Sequence, residues 1–302
     1  MMRLAINIAG VEWKNPITTA SGTVNSGIEY SEYVDFSKLG ALTSKGVAAT
    51  PWTGNPTPRI AETYGGMLNA IGLQNAGIDA FVENDIPFFK QLDTNVIVNV
   101  CGRDADEFAE VARRLEEAGG VDMLEVNISC PNVKEGGAAF AQDPKATESI
   151  VSAVKKATRL PIIVKLSPNV TSITEIAKAA ESAGAGALSM INTLLAMRIN
   201  IHTKKPMLAN TMGGLSGPAI KPVALRCVYQ AYKAVKVPII GMGGILNGDD
   251  AIEFMLAGAS AVAVGTAHFT NPCAATDVLE GMVDYMEKYG VEDINELIGG
   301  AH

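Results

Sequence analysis

The chain has 302 residues, 48% of them apolar and 19% charged, a composition that supports a large core and argues against intrinsic disorder. Its 24 basic residues against 32 acidic ones give a formal net charge of −8, with no Lys/Arg cluster and no interleaving of basic and aromatic residues, which argues against nucleic-acid binding. The cysteines Cys101, Cys130, Cys227 and Cys273 form no Cys-x-x-Cys pair, so a zinc site, an iron–sulfur cluster or a disulfide framework is not expected, and a reducing, cytoplasmic setting fits best.

The apolar start of the chain is interrupted at once by Gly10, Glu12 and Lys14, too early for a signal core or a membrane span. The pattern predicts a hairpin over 4–8 and 11–13. Strands then follow over 17–20, 41–44, 96–100 and 123–128, and four more over 162–166, 187–191, 239–241 and 261–264. Amphipathic helices separate them. Phe108, Val111, Ala112 and Leu115 share one face; Ile150, Val151, Val154 and Ala157 share another, as do Ile173, Ile176, Ala177 and Ala180. Eight strands alternating with helices predict an α/β fold, a (β/α)₈ TIM barrel with an N-terminal β-hairpin. No linker or low-complexity tract divides the chain, so 1–302 reads as one domain. The connections 46–75 and 192–218 are too long for simple turns, and such loops in barrels are usually functional, so both are expected at the C-terminal face.

Barrel enzymes place their chemistry just after the strands, where eight loops converge. The residues found there are Ala20-Ser21-Gly22, Ser44-Lys45-Gly46, Asn99, Asn127, Lys165, Asn192-Thr193, Gly241 to Gly244 and Gly265-Thr266. Amides offer donors and acceptors and lysines only donors, a set suited to a planar, amide-rich ligand with an anionic end. The glycine turns after the seventh and eighth strands stand where barrels bind phosphate through backbone N–H groups, although such turns also serve simply as tight connections. No Walker or Rossmann fingerprint is present, so a mononucleotide suits the sequence better than ATP or NAD. Lys45 and Lys165 are either structural or placed to stabilise the negative charge of a reduced flavin. Cys130, in the polar loop after the fourth strand, is either an inert small residue or a base; the other three cysteines read as inert. His202, His268 and His302 lack metal-ligand spacing and read as surface or packing residues, and no metal is expected.

Four motifs together, Asn127-Ile128-Ser129-Cys130-Pro131-Asn132, Asn69-Ala70-Ile71-Gly72-Leu73-Gln74-Asn75, Gly213-Gly214-Leu215-Ser216-Gly217 and Lys165-Leu166-Ser167-Pro168-Asn169, resemble the class 1 dihydroorotate dehydrogenases, and the similarity runs essentially end to end. The resemblance implies an FMN-binding barrel in which Cys130 removes the C5 proton of dihydroorotate while the C6 hydride goes to the flavin. It implies that Lys45, Asn69, Gly72, Leu73, Asn127, Asn132, Asn192 and Thr193 hold the substrate. For FMN it implies Ala20, Ser21, Lys45, Asn99, Asn127, Lys165, Ile191, Gly217, Gly243, Gly244, Gly265 and Thr266. Ile71, where fumarate-linked members usually carry Met, resembles the NAD-linked class 1B form. That form implies a partner subunit carrying FAD and a [2Fe–2S] cluster, docked to a homodimer of this chain in a heterotetramer. The competing readings are a dihydropyrimidine dehydrogenase-like flavoenzyme and a non-redox phosphate-binding barrel, such as a Schiff-base aldolase using Lys165.

Overall fold

The computed structural model describes residues 2–128 and 142–302. Two short strands, β1 (Ile6–Ile8) and β2 (Val11–Trp13), form the expected antiparallel hairpin. Its apolar side chains Ile6, Ile8 and Trp13 are buried, whereas Asn7 and Glu12 are exposed. Ala9, at its tip, lies against Gly186, immediately before a barrel strand, so the hairpin covers the N-terminal end of the sheet.

The strands that follow are β3 (Ile17–Thr19), β4 (Ala41–Thr43), β5 (Ile60–Thr63), β6 (Gly66–Asn69), β7 (Asn95–Val100) and β8 (Met123–Asn127). After them come β9 (Ile162–Leu166), β10 (Ala187–Met190), β11 (Leu194–Ala196), β12 (Ile199–Asn200), β13 (Lys205–Pro206), β14 (Gly213–Ser216), β15 (Ile239–Met242) and β16 (Ala261–Val264). Eight of these form one parallel sheet in the order β3-β16-β15-β10-β9-β8-β7-β4. The eight predicted barrel strands are these eight, with ends shifted by no more than a residue. Parallel strands covered on both faces must be apolar throughout, and Ile162–Leu166, Ala187–Met190 and Ala261–Val264 are buried at every position.

The three helices read from periodicity are Ala105–Ala118, Pro144–Ala157 and Ile173–Ser182. Asp104 caps the first by accepting from the Glu107 N–H at 2.9 Å, and Asp143 caps the second through the Lys145 N–H at 3.0 Å. Each buries the face that its sequence periodicity marks, with Phe108, Val111, Ala112 and Leu115 on the first and Ile150, Val151 and Val154 on the second. Among the described residues no helix is long and apolar enough to cross a membrane.

The long connections are not plain loops. β5, β6, β11 and β14 assemble into a four-stranded antiparallel sheet in the order β11-β14-β6-β5, and β12 pairs with β13 beside it. Residues from 60–69 and 194–216 therefore meet, although some 130 positions separate them (from the pairing of Asn69 with Gly214).

The ring closes between β3 and β4 without a regular ladder. The Gly40 N–H donates to the Ile17 carbonyl at 3.0 Å. One residue pair further along, the Thr19 hydroxyl donates to the Thr43 carbonyl at 3.1 Å and accepts from the Thr43 N–H at 3.0 Å. Thr18 and Thr43 share a further hydroxyl contact of 3.0 Å. A buried side chain thus replaces a strand partner at the seam. Thr19→Val keeps the shape but leaves both Thr43 backbone groups unpaired, so it should lower unfolding stability by about 1–3 kcal/mol. Urea unfolding of the two proteins side by side checks this, and equal midpoints would show that the seam does not depend on the hydroxyl.

Candidate active site

Six of the sequence-marked residues are joined by one polar network at the C-terminal end of the strands. It starts from Glu125 of β8, a carboxylate only 3% exposed in the barrel interior. The Asn99 amide donates to Glu125 Oε2 at 2.6 Å, and the Ser189 hydroxyl donates to Oε1 at 2.7 Å. Lys165 Nζ, on a residue 4% exposed, lies 3.5 Å from Oε2 and donates to Ser21 Oγ at 2.9 Å. Glu125, Lys165, Asn99 and Ser189 come from the neighbouring strands β7 to β10 and all project into the barrel, because alternate residues of each strand face the same way.

The network continues outward to half-buried residues. Asn127 Nδ2 donates to Asn99 Oδ1 at 3.3 Å, Asn192 Nδ2 reaches Asn127 Oδ1 at 3.5 Å, and the Thr193 N–H donates to Asn192 Oδ1 at 2.8 Å. A carboxylate can only accept and a backbone N–H can only donate, so the two ends of this chain fix which way all three amides point. Cys101 also belongs to the network: its thiol donates to Asn99 Oδ1 at 3.4 Å and lies 3.9 Å from Asn127 Nδ2. Asn169 anchors the segment beyond, donating to the Thr193 carbonyl at 3.0 Å and accepting from the Leu195 N–H at 2.9 Å.

The antiparallel sheet brings its own residues to this place. Asn69 of β6 contacts the Gly214 carbonyl of β14 at 3.5 Å, and Gly214 packs so closely on Thr193 that a side chain there would overlap the Thr193 hydroxyl. Gly72 and Leu73 form a turn with positive φ at both positions, 74° and 54°, and Leu73 packs against Ala48, Trp52 and Cys101. Lys45 is half-buried, its N–H donating to the Asn25 carbonyl at 2.9 Å, and its neighbour Gly46 presses on the Asn99 and Cys101 side chains.

A second group lies after β10, β15, β16 and β3, which are consecutive neighbours in the sheet. Ile191 is buried beside Gly243. Gly217 and Gly244 have φ of 98° and 84°, and an added Cβ on Gly244 would sit 3.0 Å from the Gly217 carbonyl, so two glycine turns meet here. Gly265 adjoins Ala20 and opens the 3₁₀ turn Thr266–Phe269. These residues bring bare backbone together at the rim, the arrangement that a phosphate group requires. Cys130 and Asn132 lie outside the described residues.

Three contributors were not marked from the sequence. Glu125 and Ser189 lie inside strands rather than after them, and the signal in each case is a polar residue at an inward position of an otherwise apolar strand. Cys101 was read as inert and proves to touch two site amides. His268 is a packing residue, as its isolation suggested. It is buried edge-on to Tyr30, with Nδ1 3.1 Å from the Gly265 carbonyl, and so supports the turn that carries Thr266.

The residues fit FMN: glycine turns for its phosphate, amides and a lysine for its ring edge. Together, barrel and site define an enzyme that binds a phosphorylated planar cofactor beside an anionic planar substrate. The chain belongs to the dihydroorotate dehydrogenase family, whose model matches residues 3–286. It is 61% identical over 298 residues to the dihydroorotate dehydrogenase B (NAD(+)) catalytic subunit of Alkaliphilus metalliredigens, covering 99% of this chain and 98% of that one. The protein of the same name from Desulforamulus reducens is 58% identical over 301 residues, covering 100% and 99%. A solved structure of the Eimeria tenella enzyme bound to ferulenol superposes with a TM-score of 0.84 over 99% of this chain and 89% of that one, at 24% identity, and shows the shared barrel.

Burial lowers the His268 pKa to about 4, outweighing the backbone contact with Gly265, which raises it. A group depressed in the folded state is protonated first in the unfolded chain. Stability therefore holds above pH 6.5 and falls as pH drops towards 4, by about 1.4 kcal/mol per unit at most from this residue. Urea unfolding at pH 7 and pH 5 should show a steeper acid loss in the parent than in His268→Gln. Equal slopes would mean that His268 is not the group titrating.

Proposed function

We propose that the chain is the catalytic subunit of an NAD-linked, class 1B dihydroorotate dehydrogenase, oxidising (S)-dihydroorotate to orotate in the route to UMP. The observation that carries this reading is the single network joining Lys165 and Ser21 to Asn99, Asn127, Asn192 and Thr193. The high identity to catalytic subunits of that name over nearly the whole chain supports it further. A Schiff-base aldolase or a dihydropyrimidine dehydrogenase-like enzyme has no comparable support.

On this reading Gly217, Gly243, Gly244, Gly265 and Thr266 hold the FMN phosphate. Ala20, Ser21, Lys45, Asn99, Asn127, Lys165 and Ile191 hold the rest of the cofactor. FMN, when bound, supplies a two-electron hydride acceptor. Asn69, Gly72, Leu73, Asn127, Asn132, Asn192 and Thr193 bind the pyrimidine ring, with Lys45 near its carboxylate. Oriented amides bind a ring of alternating N–H and carbonyl groups in one register, which places C5 and C6 reproducibly. Cys130, three positions beyond Asn127 in the chain, takes the C5 proton as its thiolate. The C6 hydride leaves on the other account, so one proton and one hydride are removed and a C5=C6 double bond forms.

The relatives' description as catalytic subunits supports a second chain, to which we assign FAD and a [2Fe–2S] cluster, on a homodimer of this one in the cytoplasm. Exposed Ile60, Leu195, Met197, Ile199 and Met212 on the antiparallel sheet and its neighbours support such associations. Mixing the FMN-loaded chain with dihydroorotate without oxygen should bleach the flavin, and Cys130→Ala should slow this about 10²–10⁴-fold with FMN retained. The isolated chain should turn over with an artificial dye and hardly at all with NAD until the partner is added. A flavin that stays oxidised would overturn the assigned activity, and wild-type bleaching in Cys130→Ala the role of that thiol.

A further inference from the structure

Glu125 has no part in the chemistry proposed above, yet it is the centre of the network. A carboxylate taken out of water costs several kcal/mol even when paired, and apolar residues of the same volume are often at least as stabilising. The interior of a barrel is ordinarily filled by branched apolar side chains. Here the strand sequence Met123-Leu124-Glu125-Val126-Asn127 places a charge at an inward position, and three donors from three other strands converge on it.

We propose that Glu125 is a positioning residue that sets the reduction potential of the bound flavin through Lys165. The inference rests on the reading of this site as an FMN site. Lys165 alone would present a full positive charge to a ring that gains negative charge on reduction, and strong stabilisation of the reduced form would follow. Glu125 faces that ammonium from the barrel interior at 3.5 Å and offsets part of its charge. It also orients the Asn99 amide through Oε2, and Ser189 fixes its other oxygen, so the carboxylate cannot rotate away from the lysine. Ser21, on the far side of Nζ at 2.9 Å, holds the ammonium between the two strands. The arrangement keeps the lysine's position while moderating its field, which lets the reduced flavin pass electrons on.

The test uses the FMN-loaded protein. In Glu125→Gln the amide oxygen can accept from Asn99 and the amide N–H₂ can donate to Ser189, so shape is kept and only charge is lost. The reduction equilibrium should shift towards reduced flavin by at least about tenfold, about 30 mV for a two-electron couple. Glu125→Met, neutral and without an amide, should shift it in the same direction, and covers the case in which the Gln variant does not fold. Glu125→Asp, which keeps the charge, should stay near the parent. A merely structural role would lower FMN affinity without this sign pattern. An unchanged or more negative potential in the neutral variants would overturn the proposal. Failure of the parent chain to bind FMN would instead overturn the site reading itself, and the proposal with it.

Discussion

The structure turns on one buried contact, the approach of Lys165 to Glu125 inside the barrel. Neither charge is stable there alone, because each loses its hydration and gains it back only from the other and from hydroxyl and amide dipoles. That requirement determines what surrounds them. Asn99 must direct its amide nitrogen inward, Ser189 must donate, and Ser21 must accept from the lysine. Because Asn99 is so oriented, its oxygen faces Asn127, and the direction of the outer amides follows as far as the Thr193 N–H. The hydrogen-bonding pattern presented at the rim is thus dictated from the interior.

The barrel makes this economical in sequence. Parallel strands end at one rim, so residues far apart in the chain become neighbours simply by following consecutive strands in the sheet. The glycine turns after β15 and β16 stand beside Ala20 and Ile191 for the same reason. The antiparallel sheet adds what the barrel lacks: a wall that carries Asn69 to Gly214 and Thr193. Its exposed apolar side chains and its position at the mouth connect the substrate wall to the surface where other chains would associate.

The barrel strands were legible because a parallel strand covered on both faces leaves an uninterrupted apolar run, as in Ile162–Leu166 and Ala261–Val264. The helices were legible from their 3.6-residue period, and the rim residues from their place after the strands. β5, β6, β11 and β14 were not, since Gly66-Met67-Leu68-Asn69 and Gly213-Gly214-Leu215-Ser216 lack both a run and an alternation and become strands only by pairing with each other. Glu125 and Ser189 were missed for a related reason. A reading that looks only after the strands does not weigh the polar residue within one, although an inward carboxylate in an apolar strand is itself informative. Cys101 shows the converse: residue type alone suggested an inert thiol, and only its neighbours Asn99 and Asn127 place it at the site.

The central claim is that the buried ammonium acts on the charge of the reduced cofactor, and the most direct measurement is the midpoint potential of FMN-loaded Lys165→Ala against the parent, by anaerobic redox titration. Removal of the positive charge leaves the Glu125 carboxylate uncompensated beneath the site, so the flavin should become harder to reduce and its potential more negative. An unchanged potential in fully loaded Lys165→Ala would contradict the account.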